Sequence, residues 1–301
     1  LSAEEYSVSY TNNINAGDQA TVTIANAEGG NYEVSGSQTF TITPADISGA
    51  IVTVNGSADV IYTGKPVKPA VSVKLGDKTL ADTDYSVSYD NNRDLGEASA
   101  TIIGKGNYKG QATGKFKIAL GNYTGPLFYN GNDDGADAYY SNAVSITAGN
   151  YGITDTLQGS FERSYTFAGE QEGEVKKVLY FYNLSEGGIY QKEVTVKFDK
   201  TAPTGKITIG KKFWESLLKT ITFGHYKVNE SVTIEGKDAL SGVDTIEYLI
   251  SDKQMTAEEL KDSGVSYTAY NENAKPSLEN DKNQIVYVKI TDKAGNAGYL
   301  S

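Results

Sequence analysis

Apolar and polar residues alternate along most of this chain. Between residues 45 and 119 the apolar ones recur at every second position: Val52 and Val54, Val71 and Val73, Tyr85, Val87 and Tyr89, Ala100 and Ile102, Phe116 and Ile118. A period of two marks strands with one buried face. Turn formers separate the runs, with NGS at 55–57, YTGKP at 62–66, LGDK at 75–78, DNN at 90–92 and GKGNYKG at 104–110. Six or seven short strands in so few residues predict an antiparallel sandwich. The pattern changes near residue 120. There YNGNDDGADAYY at 129–140 leads into a predicted strand at 143–148, and later Val194, Val196 and Phe198 alternate with Glu193, Thr195 and Lys197. DKTAPTGK at 199–206 reads as a domain junction. Beyond it KITI, SVTIEG, DTIEYLI and QIVYVKI predict further strands. Two helical insertions are expected among them. One is KKFWESLL at 211–218, with Phe213, Trp214, Leu217 and Leu218 on one face. The other is TAEELKD at 256–262, which opens with the capping-box spacing of Thr256 and Glu259.

An internal repeat organises the first half. LSAEEYSVSYTNN at 1–13 aligns with LADTDYSVSYDNN at 80–92, eight of thirteen positions being identical. The match continues through Gly17 with Gly96, GNY at 30–32 with 106–108, and Phe40 with Phe116, while the offset drifts from 79 to 76. Residues 47–78 of the second copy have no counterpart ahead of Leu1, so the first copy reads as a truncated module. Too short to bury a core alone, residues 1–43 are expected to pack on the second module or to pair an edge strand with another chain. The reading is therefore four modules: 1–44, 45–119, 120–200 and 201–301.

Composition narrows the function. A formal charge of −11, from 27 Lys plus Arg against 38 Asp plus Glu, repels nucleic acid and anionic membranes. The absence of cysteine removes disulfides, thiolate chemistry and Cys-containing metal sites, and one histidine, His225, excludes a multi-His centre. No apolar run approaches 18 residues and no leader or anchor is evident, so the chain reads as an excised fragment.

YTGKPVKPAVSVKLGDKTLADTDYSVSYDNN, GEASATIIGKGNYKG and KFKI resemble the Ig-like repeats of large surface proteins from gut Firmicutes. NGNDDGADAYYSNAVSITAGNYGI, DKTAPTGKITIGKKFW, DALSGVDTIEYLISD and ITDKAGN resemble a companion Ig-like type from such proteins. The resemblance implies an all-β chain of tandem Ig-like β-sandwiches arranged as an elongated rod. It implies an extracellular or wall-attached place on a Gram-positive bacterium, and an adhesive or spacer role toward a host or microbial protein or glycan. The fragment itself is expected to be a monomer, with edge-strand pairing through residues 1–43 as its one route to association. An array of carbohydrate-binding modules on a secreted glycan-active protein is the alternative. Neither reading makes it an enzyme.

Several groups of residues could carry chemistry. Asn130, Asn132 and Asp134, followed by Gly135, match the first half of a calcium-loop pattern and Asp133 and Asp137 add negative charge, but the twelfth position, Ser141, lacks the acidic ligand. Asp199, Asp238, Asp244 and Asp292 flank predicted strands, and could clamp an ion if their loops share one end of a sandwich. Tyr139, Tyr140 and Tyr151, or Tyr180, Tyr182 and Tyr190, could form a sugar-stacking platform, as tyrosine outnumbers phenylalanine 22 to nine. Asx-rich turns and cross-strand pairs account for the same residues without a ligand. His225 has no nucleophile elbow beside it, and the register of Lys197 points it away from the apolar face, against an isopeptide link.

Overall fold

The computed structural model describes residues 1–132, 135–210, 212–214, 230–279 and 282–301. Among these the fold is all-β, with sheets packed face to face around apolar cores, and the one α-helix has five residues. The chain divides into two compact units, Leu1–Asn122 with Glu186–Tyr190, and Tyr123–Ser185 with Gln191–Ser301. No helix among the described residues is long and apolar enough to cross a membrane.

The first unit opens with a three-stranded antiparallel sheet of β1 (Tyr6–Thr11), β2 (Gly17–Asn26) and β3 (Ser35–Ile42), in that order. After it come β4 (Ile51–Val54) and β5 (Val71–Leu75), which form a second sheet with Lys78–Thr79. Then β6 (Tyr85–Asp90), β7 (Gly96–Gly104) and β8 (Gln111–Ala119) form a third sheet, joined at the β8 edge by Val60–Ile61. These last two sheets enclose a core in which Val73, Leu80 and Val52 meet Ile102, Tyr85 and Val87. Gly114 makes the close approach possible, because a Cβ there would sit 2.7 Å from the Val52 carbonyl oxygen. The turns of the two repeat copies share their geometry too: Asn12 and Asn91 adopt φ of 55° and 52°, a left-handed angle that asparagine tolerates. Residues 1–43 touch the second module through a loop, where Asn107 Nδ2 donates to Asn15 Oδ1 at 3.0 Å and Ala16 N donates to Asn107 Oδ1 at 2.6 Å.

In the second unit, β9 (Val144–Thr147) lies between Phe128–Tyr129 and β11 (Ser164–Phe167). A further sheet runs β13 (Ile189–Phe198), β12 (Gly173–Asn183), β10 (Tyr151–Thr154). Val194, Val196 and Phe198 are buried, as alternation requires. Two sheets follow after Asp199. One holds β15 (Lys212–Trp214), β14 (Thr204–Ile209), β16 (Glu230–Lys237) and Ser277–Leu278. The other holds Thr268–Ala269, β17 (Val243–Ser251), β18 (Ile285–Asp292) and β19 (Ala297–Leu300). Ile207, Val232 and Ile234 from the first of these pack on Val286, Val288 and Ile290 from the second. The helix α1 (Ala257–Lys261) carries the expected cap, Thr256 Oγ1 accepting from Glu259 N at 3.2 Å while Thr256 N donates to Glu259 Oε2 at 2.7 Å. It sets Leu260 against Ile285 and Tyr287.

The helix expected over 211–218 is corrected at its start. Lys212–Trp214 is a strand, paired antiparallel so that Ile209 faces Lys212 and Ile207 faces Trp214. Gly210, at φ 57°, turns the chain back after β14, and a hairpin partner outweighs a one-sided apolar pattern of eight residues. Leu217, Leu218 and His225 lie outside the described residues.

Two phenols, Tyr85 buried and Tyr267 half-buried, make alkaline stability a readout of these cores. Burial, then the hydrogen bond to Asp82, pushes the Tyr85 hydroxyl from an ordinary 10.0 up to about 12. Burial, with Tyr299 and Glu247 nearby, does the same for Tyr267. Above pH 10 the unfolded chain ionises these groups while the folded chain keeps them protonated. Their contribution is therefore complete below that pH and is lost as pH rises through about 12. Urea unfolding between pH 9 and 12 should show falling stability over this window, with a shallower fall in Tyr85→Phe. The variant should lose about 1 kcal/mol at neutral pH, with the Asp82 bond.

Candidate metal centre

Three strand ends in the second unit converge on one group of carboxylates. Asp199 directly follows β13, Asp238 directly follows β16, and Asp292 is the last residue of β18. Their nearest ligand oxygens all lie within 4.8 Å of one another. Asp199 and Asp292 are fully buried, and Asp238 is half-buried.

Local sequence explains how each is held. In DALSGV the Asp238 Oδ2 accepts from Leu240 N at 3.0 Å and Gly242 N at 2.8 Å, an Asx-type turn. In DKAGN the chain turns back through Gly295, at φ 89°, and Asn296 N donates to Asp292 Oδ1 at 2.8 Å. The Asn296 amide then joins two strand ends, its Nδ2 donating at 2.8 Å to both Asp292 Oδ2 and the Asp199 carbonyl oxygen. Asp199 itself accepts from Thr201 N at 3.1 Å and from Ser241 N at 2.9 Å. Among the described residues no Lys or Arg forms an ion pair with any of the three. Lys200, the adjacent cation, donates instead to the Gly169 carbonyl oxygen at 2.7 Å. Ser241, whose amide faces Asp199, has a buried hydroxyl with no hydrogen-bond partner.

The arrangement is an all-oxygen donor set with concentrated negative charge. Burying several carboxylates together is costly unless donors or a cation compensate them. The N–H groups supply one part of that compensation. Each carboxylate oxygen retains further lone pairs, and oxygen ligands of this kind suit a hard cation, Ca²⁺ or Mg²⁺, rather than zinc.

Sequence spacing grouped four aspartates here, and the structure brings three together. Asp244 is set apart: the register of β17 on β18 shifts between Val243 and Thr245, which leaves Asp244 unpaired and exposed. Asn296 and Ser241 were missed as members. Their signal was their place three or four residues after an aspartate in a turn, a pattern common in loops that hold nothing.

The other candidate groups are placed as follows. Asn130 uses its side-chain oxygen to accept from Ser145 N at 2.9 Å, and Asn132 pairs through its backbone with Tyr129. Asp137 is exposed and ion-paired to Lys197 at 3.2 Å. Asp134 lies outside the described residues. Tyr139 and Tyr140 pair parallel with Lys197 and Phe198 of β13. Tyr151 starts β10, beyond both β13 and β12, so about 14 Å of sheet separates it from them. Its ring stands edge-on to Tyr123, centroids 5.0 Å apart. The Tyr140 hydroxyl donates to the Gly135 carbonyl oxygen at 3.0 Å, and burial raises its pKa. Tyr182 tilts against Phe161 at 5.5 Å. The three tyrosines of the first group do not form one platform.

No family model and no curated protein match the chain. Among solved structures it is similar to Drosophila N-cadherin EC1-4, at 14% identity and a TM-score of 0.20, over 99% of this chain and 83% of that one. It is similar also to the N-terminal four Ig domains of Dscam1 isoform 4.44, at 11% identity and a TM-score of 0.17, over 99% and 81%.

Calcium titration tests the centre. After chelator treatment, millimolar Ca²⁺ should raise the melting temperature by a few degrees, as binding to the folded state alone requires. Asp199→Asn and Asp292→Asn should abolish that response, and Asp244→Asn should keep it. A melting curve indifferent to Ca²⁺, Mg²⁺ and chelator would leave the N–H donors as all that holds the cluster.

Proposed function

We propose that the chain is part of a modular bacterial surface protein, outside the cell or attached to its wall, where it serves as a non-catalytic adhesive or spacer stalk. The observation that carries this reading is the structural duplication. Two copies of one sheet, β1–β2–β3 and β6–β7–β8, share strand order and turn geometry. Modules repeated in one chain suit reach and spacing, because each added copy extends the chain without new chemistry. Separate apolar cores support it, one within residues 47–108 and another within 207–300. So does the charge of −11, which keeps neighbouring copies apart. A Ca²⁺ clamp at Asp199, Asp238 and Asp292 would serve the same role by stiffening the chain where one set of strands hands over to the next.

Small-angle X-ray scattering tests the stalk. Modules in file should give a radius of gyration near or above about 30 Å, against roughly 19 Å for one globule of this length. The smaller value would refute the spacer reading.

A further inference from the structure

The second repeat copy has its apolar face covered and the first does not. Strand register fixes the equivalence residue by residue. Tyr10 faces Val22 and Val8 faces Ile24 in the first copy; Tyr89 faces Ala100 and Val87 faces Ile102 in the second. Ala20 faces Phe40, and Ala98 faces Phe116. The aromatic pair is reproduced as well. Tyr10 and Phe40 meet edge-to-face with centroids 6.4 Å apart, and Tyr89 and Phe116 do so at 6.3 Å.

Exposure separates the copies. Ile102 and Phe116 are 0% and 6% exposed, whereas Ile24 and Phe40 are 36% and 37%. Leu80 is 4% exposed and its counterpart Leu1 is 70%. Val8 and Tyr10 are exposed too. The cover over the second copy is the sheet of β4, β5 and Lys78–Thr79, which brings Val52, Val71 and Val73. Two polar attachments hold the segment leading into it. The Tyr89 hydroxyl donates to the Pro69 carbonyl oxygen at 2.6 Å, and Asn92 Nδ2 donates to the Val67 carbonyl oxygen at 2.6 Å. The first copy carries Tyr10 and Asn13 at these two places.

We infer that the bare face of β1–β3 is an interaction surface whose occupant is a three-stranded sheet of the kind residues 51–79 form over the second copy. A face meant for solvent would not keep the leucine, the aromatic pair and both polar anchors of a covered one. The fit differs in one detail. Gln38 stands where the second copy has Gly114, so the new sheet seats further out over β3 than β4 does over β8. This inference stands apart from the stalk reading, since the face can be covered in a rod or a globule alike.

The test joins a copy of residues 45–79 directly ahead of Leu1 of the full chain. Amide hydrogen exchange across residues 6–42 should slow by on the order of a hundredfold as the sheet gains a closed core. Binding of an apolar dye to the chain should fall. Asn13→Ala in the extended chain should give back part of the gain, and Gln38→Gly should enlarge it. A segment of the same composition in scrambled order should give no protection. If the extended chain does not fold, the same segment on a soluble carrier, added in trans to the unextended chain, should bind it and fail to bind Tyr10→Lys. Unchanged exchange and no binding in trans, or equal protection from the scrambled segment, would overturn the inference. So would concentration-dependent self-association of the unextended chain that Tyr10→Lys abolishes, because the occupant would then be a second copy.

Discussion

A sheet with one apolar face must bury that face, and nearly every feature of this chain follows from how it does so. In the second copy the burial is achieved sheet against sheet, with Val73 and Ile102 closing the interior. In the last module it is achieved the same way, with Ile207 and Val232 against Val288 and Ile290. Strand alternation supplies the two faces, and turn residues such as Asn91 and Gly295 bring the strands back within reach of each other. Where the opposing layer is missing, over β1–β3, large apolar side chains are left in water.

The charged residues follow the opposite logic. Most occupy exposed faces, where pairs such as Lys115 with Glu97 contribute little to stability. Among the described residues Asp199 and Asp292 are the exceptions, fully buried at the ends of strands. Their placement is a consequence of topology, since β13, β16 and β18 all end at one locus. The same convergence lets one side chain, Asn296, bind Asp292 beside it and a carbonyl oxygen 97 residues away in sequence.

Much of the fold was legible in the sequence because a strand's period is local. Val194, Val196 and Phe198 announce their own burial, and the capping box of Thr256 and Glu259 announces α1. Lys212–Trp214 did not announce itself, because three residues hold no period and only the pairing with β14 decides their state. The candidate centre was legible in part. Asp199, Asp238 and Asp292 stood out as acids beside strands, yet what separates them from Asp244 is a register shift that depends on the partner strand. The tyrosines show the same limit: nearness in the chain grouped Tyr151 with Tyr139 and Tyr140, and the sheet order set two whole strands between them.

The irregularity in β2 has a consequence for how such chains lengthen. Between Gly17 and Ala20 the strand takes three steps while its partner takes two, from Ile42 to Phe40; the second copy, from Gly96 to Ala98 against Ile118 to Phe116, matches step for step. The surplus residue is absorbed by a bulge, after which inward side chains again point inward. Duplicated segments can therefore diverge in length without scrambling which surface is oily, and a gene that grows by copying itself need not keep its copies in strict step.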